Sequence, residues 1–192
     1  TLLLGLTLSF ATIAQTFNVG GPVSFTSNLL SDDNKMNEHV MPVFDLEKQL
    51  ADNLINQANK VGPYMFGYEH ITNYSLQNSG TWQTTAEGDK VWKIKFSSPG
   101  ALSMNVVFND FFIPNGASVH LYNKETEMVV GAYTAKNNNV NNSLGSELIK
   151  GESVIIEYFE PKEVIGEGRL LVGMVVHGYV DINNWYPNKV NE

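Results

Sequence analysis

The sequence predicts a mainly β protein: an antiparallel β-sandwich of jelly-roll type with about seven to nine strands, preceded by one amphipathic helix. Two observations lead to this prediction. After residue 63, apolar residues repeat with a period of two in several short runs, as in half-buried strands. Turn residues separate these runs at the spacing typical of sandwiches and barrels. One core suits a chain of 192 residues, of which 43% are hydrophobic.

The first fourteen residues resemble part of a secretion signal. Residues 2–14 form an apolar run that has the length of a signal-peptide core and is too short to span a bilayer. Small residues, Thr12 and Ala14, precede Gln15, which predicts signal cleavage between Ala14 and Gln15. We therefore expect export from a bacterium, a secreted protein, and no membrane partner once the signal is removed. A buried first strand or helix is the alternative and fits the small residues less well.

A lead-in and a helix precede the strands. Residues 15–42 are predicted to be an extended lead-in, because turn residues and a polar run interrupt any periodicity. From residue 45 to residue 60, apolar side chains recur at the helical spacing, with Asp45 as a good N-cap. The Gly62–Pro63 pair ends the helical pattern. The apolar stripe of this helix consists of Leu46, Leu50, Leu54 and Ala58, with Ala51 and Ile55 beside it.

The strand runs differ in the polarity of their two faces. The core candidates Trp92, Ile94 and Phe96 alternate with Lys93 and Lys95, which predicts one buried face and one wet face. The runs at 154–159 and 170–177 are largely apolar on both faces, so we expect these two strands in the centres of sheets. The remaining runs lie at 104–108, 119–122 and 128–133, and the Asn-rich stretch 137–142 is predicted to be a solvated loop.

Composition and motifs argue against several kinds of chemistry. The formal charge is −8 with a single arginine, Arg169, so we expect no nucleic-acid partner. The absence of cysteine excludes disulfides, thiol nucleophiles and Cys-ligated zinc. No Gly-x-Ser-x-Gly turn or phosphate-binding loop occurs, and none of the histidines stands at metal-ligand spacing from another. We therefore expect no catalytic residue, no metal and no cofactor. The isolated histidines are His39, His70, His120 and His177.

The three tryptophans suggest an alternative function. Trp82, Trp92 and Trp185 could form a platform on which sugar rings stack. Trp92 alternates with lysines as a core residue would, which leaves Trp82 and Trp185 as candidates. A secreted β-sandwich module that binds glycans or cell surfaces is therefore the alternative, although packing at the edge of the sandwich explains both residues more simply.

Several segments together resemble the N-terminal proregion of secreted bacterial trypsin-like serine proteases, of the lysyl-endopeptidase-like kind common in flavobacteria. Four motifs follow one another in the order Phe-x-Asp-Phe-x-x-Pro-x-Gly-Ala, Gly-x-Tyr-Thr, Gly-Glu-x-x-x-x-Glu-Tyr-x-x-Pro and His-Gly-Tyr. The chain departs from the family at Met65 and Val180, where basic residues are expected. The matching segments are 21–25, 42–45, 63–67, 91–94, 101–122, 131–134, 151–161 and 177–179.

The resemblance implies a division of the precursor. Residues 43–180 would be a prodomain of one helix and a sandwich, and residues 181–192 a linker to a protease domain that carries the catalytic residues. The partner would be that downstream protease domain within the same chain, so we expect a monomer. If this partner is lysine-specific, Lys189 in the linker is a candidate processing site. An ordinary linker lysine is the alternative.

Overall fold

A computed structural model describes residues 20–26, 36–62 and 65–181. Within them the chain forms one α-helix and eleven strands, which pack as two sheets face to face. This confirms the predicted β-sandwich preceded by a helix. Four of the strands have four residues or fewer. In chain order the elements are β1 (Glu38–Val40), α1 (Leu46–Asn59), β2 (Gly67–Ser75), β3 (Thr81–Thr84), β4 (Lys90–Ser97), β5 (Ser103–Phe112), β6 (Ser118–Asn123), β7 (Met128–Tyr133), β8 (Leu144–Gly145), β9 (Ile149–Lys150), β10 (Ser153–Glu160) and β11 (Arg169–Gly178).

The strand order is that of a jelly roll. The first sheet runs β1-β4-β10-β6-β7, and the second runs β2-β11-β5-β8, with β9 beside β5. The chain crosses between the sheets at seven connections: β1 to β2, β2 to β3, β4 to β5, β5 to β6, β7 to β8, β9 to β10 and β10 to β11. Each pairing is antiparallel except that of β1 with β4. The second sheet has the nine-residue β2 at one edge and the two-residue strands β8 and β9 at the other.

The two strands predicted to be central occupy those places. β10 lies between β4 and β6, and β11 lies between β2 and β5. The opposite sheet covers their inward-facing apolar side chains, whereas Leu171 and Met174 on the outer face of β11 are half-buried. Trp92, Ile94 and Phe96 of β4 are fully buried in the core between the sheets, also as predicted.

The outer face of β4, which was predicted to be exposed to solvent, is partly buried. Lys93 is only 5% exposed, although its position in the alternation predicted contact with solvent. The reason lies in the lead-in, because residues 20–26 lie over the outer face of the first sheet at the neighbouring strand positions. Sequence alternation distinguishes the two faces of a strand but does not show which distant segment will cover the outer one.

β1 closes one side of the sandwich. It pairs in parallel with the end of β4, and β3 pairs with the other end of the same strand edge. The ring of His39 in β1 lies 4.2 Å from the ring of Tyr74 in β2, which belongs to the other sheet. β1 is therefore paired with the first sheet and also contacts the second sheet, and the chain then continues into α1.

Candidate docking surface

α1 turns a polar residue toward the sandwich. Asn53 is only 6% exposed, and its side-chain amide donates to the Met65 carbonyl at 2.8 Å and to the Tyr179 hydroxyl at 2.7 Å. The Tyr179 hydroxyl in turn donates to the Met65 carbonyl at 3.1 Å. Met65 precedes β2 and Tyr179 follows β11. One asparagine thus ties the middle of the helix to the place where these two strands meet.

An aromatic residue just before α1 fills the end of the sandwich. The Phe44 ring stacks on Tyr68 at 4.2 Å and meets the edge of His177 at 4.9 Å. His177 is buried, and its Nδ1 lies 2.7 Å from the Ser98 hydroxyl. His70 stands beside Tyr68 with its ring centroid 5.0 Å away. Phe44 therefore fixes the start of the helix against the edge strand β2 and its neighbour, the central strand β11.

Local signals set the ends of α1. The Asp45 carboxylate accepts a hydrogen bond from the Lys48 amide at 2.9 Å, which satisfies one of the free donors of the first turn. Lys48 and Asp52 form an ion pair one turn apart. The helix ends where Lys60 adopts the left-handed conformation at φ 54°. The predicted helix and its N-cap are thus confirmed, because both depend on short-range interactions.

The apolar stripe of α1 faces solvent. At about 100° per residue, Leu54 and Ile55 point roughly 100° and 200° away from Asn53 around the helix axis. Leu54 is 68% exposed and Ile55 is 58% exposed, whereas Leu46 and Leu50 are half-exposed at the border with the sandwich. Because Asn53 occupies the buried side, the residues that normally face a core lie on the outside. An exposed apolar patch of this kind is typical of an interaction site.

The chain leaves the sandwich beside this helix. The amides of Tyr179 and Val180 both donate to the Phe66 carbonyl, at 3.0 and 3.2 Å. Gly178 is packed so closely that a Cβ atom there would lie 2.3 Å from the Ser103 hydroxyl oxygen. The His-Gly-Tyr motif therefore has a physical role, since its three residues pin the end of β11 next to α1.

The lead-in segment forms a second feature, on the outer face of the first sheet. Glu157 is 1% exposed and accepts hydrogen bonds at 3.1 Å from the Ser24 amide and from the Tyr122 hydroxyl. Phe25 packs edge-on against Tyr122 at 5.0 Å. His120, directly across from Glu157 in β6, has its Nε2 3.1 Å from the Gly20 carbonyl. No sequence pattern predicted this contact, because residues 20–26 and β10 are more than 120 positions apart.

A groove of about 800 Å³ runs along β2. Residues 40–43 form one wall and residues 68–74 of β2 form the other.

Three of the histidines are buried. His70 is 7% exposed, and among the described residues its Nε2 has no hydrogen-bond partner. Burial lowers the pKa of His70 below its ordinary value, and it does the same for His120 and His177. These imidazoles are therefore kept neutral by the packing of the fold.

The structure separates the predicted site residues into two groups. Trp92 is fully buried. Trp82 in β3 donates through its Nε1 to the Leu76 carbonyl at 3.0 Å and packs edge-on against Tyr158, and it remains 37% exposed. The signal-cleavage residues Ala14 and Gln15, the processing candidate Lys189, and Trp185 all lie outside the described residues.

Comparisons and global features add three facts. In the described part of the chain, no cluster of three His, Asp or Glu side chains is placed to hold a metal ion. No helix within the same residues has the length and apolar character needed to cross a membrane. No protein-family model matches the chain.

Proposed function

We propose that this chain is the non-catalytic N-terminal propeptide domain of a secreted trypsin-like serine endopeptidase precursor. The domain assists folding of the protease and keeps it inactive until cleavage. The observation that carries the proposal is the pinned exit of the chain at Tyr179, hydrogen-bonded to Asn53 of a helix whose apolar stripe is exposed. A domain that follows this exit starts beside a surface that a protein partner can cover.

The motifs that carry the family resemblance have structural roles, which supports the proposal. Phe108 and Phe111 are fully buried and lie 5.5 Å apart in the core. The turn that follows is closed by a hydrogen bond from the Ala117 amide to the Pro114 carbonyl, with Gly116 at φ +87°. Residues of this kind fix the conformation of the domain. A domain with a fixed conformation can present a defined surface on which a partner folds.

The physical logic of a tethered companion is favourable. A short tether gives a linked partner an effective concentration of about the millimolar range, so even a weak contact is populated. A trypsin-like double barrel is rich in non-local strand pairing and folds slowly. Binding to its native form would shift the equilibrium toward that form.

The proposal also includes two processing steps. The signal peptide would be removed between Ala14 and Gln15, and a lysine-specific protease would release itself by cutting after Lys189. N-terminal sequencing of the mature enzyme should therefore begin at Val190. A start far from Val190 would contradict self-processing at Lys189 and leave the propeptide role to be judged by the inhibition assay below.

The decisive test uses the parent precursor and its separated parts. The protease domain expressed without this chain should fold poorly, and addition of the 192-residue chain in trans should raise the yield of refolded enzyme and then inhibit it. Neither rescue nor inhibition, together with retention of the chain on a polysaccharide column, would replace the proposal with the glycan-binding alternative.

A further inference from the structure

We infer that the α1 stripe, defined as Leu46, Leu50, Leu54 and Ile55, is the surface that contacts the protease domain. This inference rests on the proposed function and identifies where the two domains meet. Leu46, Leu50 and Leu54 follow one another about one turn apart along the helix, and Ile55 adjoins Leu54. Apolar side chains at this spacing are of the kind that docks into a groove on a partner.

The helix is held in a way that keeps the stripe available. Asn53 hydrogen-bonds to Met65 and Tyr179, and Phe44 anchors the chain one residue before the N-cap. A 14-residue helix is only marginally stable by itself in water, so these contacts and a covering partner together favour it. The anchor uses the polar side of an amphipathic helix, which is the reverse of how surface helices usually pack.

The occupant follows from the exit of the chain. The Tyr179 hydroxyl lies 2.7 Å from the Asn53 amide, so the end of the described chain lies next to α1. A protease domain that follows in the same chain would meet the stripe at high effective concentration, whereas a second copy of the chain has no such linkage.

The other outward surface near the lead-in is already occupied. Residues 20–26 cover the outer face of the first sheet and bury Glu157 and Tyr122 there. The α1 stripe remains exposed, with Val43 just before the helix 95% exposed and Val61 just after it 60% exposed. Exposed apolar residues therefore also flank the helix in the chain on both sides.

The test is a matched pair of double variants of the 192-residue chain, assayed for inhibition of the separately produced protease domain. Leu54→Gln with Ile55→Gln removes the most exposed part of the stripe and keeps good helix formers. Asn56→Gln with Asn59→Gln changes two exposed polar residues of the same helix. The stripe variant should inhibit about tenfold to a hundredfold more weakly than the parent, while the control stays within about twofold.

A second measurement does not depend on the variants. Hydrogen exchange of the parent chain with the protease present should slow in α1, and thermal melting should show that both double variants fold like the parent. Unchanged inhibition by the stripe variant would overturn this inference and leave the propeptide function standing. Failure of the parent itself to bind the protease would overturn both. A dimer of the chain that the stripe substitutions dissociate would assign the stripe to a second copy instead.

Discussion

The side-chain amide of Asn53 donates a hydrogen bond to the hydroxyl of Tyr179, 126 residues further along the chain, across 2.7 Å. This contact joins the helix that precedes the sandwich to the point where the chain leaves it. Asn53 is also the one buried residue of α1. The orientation of the whole helix, and therefore the exposure of its apolar stripe, depends on this residue.

Replacing Asn53 should loosen the helix before it unfolds the sandwich. Asn53→Ala removes two buried hydrogen bonds, and we expect a loss of about 1–3 kcal/mol in the free energy of unfolding. Amide exchange in α1 should accelerate more than exchange in β10 or β11, because the helix has few other contacts with the core. Asn56→Ala changes an exposed asparagine of the same helix and serves as the control, which should neither lower the free energy of unfolding nor accelerate exchange. Equal exchange in α1 for both variants would show that Asn53 is not the anchor.

The lead-in contact should contribute to the stability of the first sheet. Tyr122→Phe removes one hydrogen bond to the buried Glu157 carboxylate and should cost about 1–3 kcal/mol. Ser24 contacts the same carboxylate through its main-chain amide, so Ser24→Ala should cost less. Chemical denaturation of the two variants measures the difference. A larger loss for Ser24→Ala would place the main contribution in the serine hydroxyl, which lies 3.2 Å from that of Tyr122.

Stability should fall as the pH drops below about 6.5. Burial lowers the pKa of His70, His120 and His177 from the ordinary value of 6.5, so the unfolded chain binds more protons than the folded one between 6.5 and the lowered values. The stabilising contribution of these three histidines is therefore complete above pH 6.5. The free energy of unfolding decreases as the pH falls from 6.5 through the lowered pKa values. Glu152 opposes the shift at His177 and Glu157 opposes it at His120.

His70→Phe is the variant that tests this pH dependence. His70 contacts the rings of Phe44 and Tyr68, and its buried Nε2 has no partner in the part of the chain that the structure describes, so a phenyl ring suits the site. Thermal melts between pH 5 and pH 8 should show a shallower slope for the variant than for the parent. An unchanged slope would mean that His70 does not contribute to the proton uptake on unfolding.

Two glycines should respond differently to the same substitution. Gly80 and Gly100 both have positive φ, at 73° and 85°. A Cβ atom on Gly80 would lie 2.3 Å from the indole nitrogen of the buried Trp92, whereas one on Gly100 would meet nothing within 4 Å. Gly100→Ala should therefore cost about 1–2 kcal/mol from backbone strain alone. Gly80→Ala should cost clearly more in a denaturant titration, and equal losses would rule out the steric contribution.

Several elements could be predicted from the sequence because their causes are local. The helix predicted over 45–60 runs over Leu46–Asn59, since its period and N-cap lie within one stretch of chain. The central places of β10 and β11 followed from apolar residues on both of their faces. Trp92 was expected in the core from its alternation with lysines, and it is fully buried.

Other features depended on residues far apart in the chain. The buried state of Lys93 could not be predicted, because it follows from the lead-in lying over the sheet. The outward turn of the α1 stripe could not be predicted either, because a hydrophobic period identifies the apolar face but not which face meets the core. The face of α1 that meets the sandwich is set by Asn53, a polar residue whose hydrogen-bond partners lie before β2 and after β11.

The sequence by itself determined the kinds of elements, their order and the two strands that occupy sheet centres. These follow from periodicity, turn chemistry and capping, which act over a few residues. Only the tertiary structure decided which surfaces are exposed to solvent. Burial arises where distant segments meet, as when residue 24 reaches residue 157 and residue 53 reaches residue 179. The candidate docking surface is a product of that second kind of interaction.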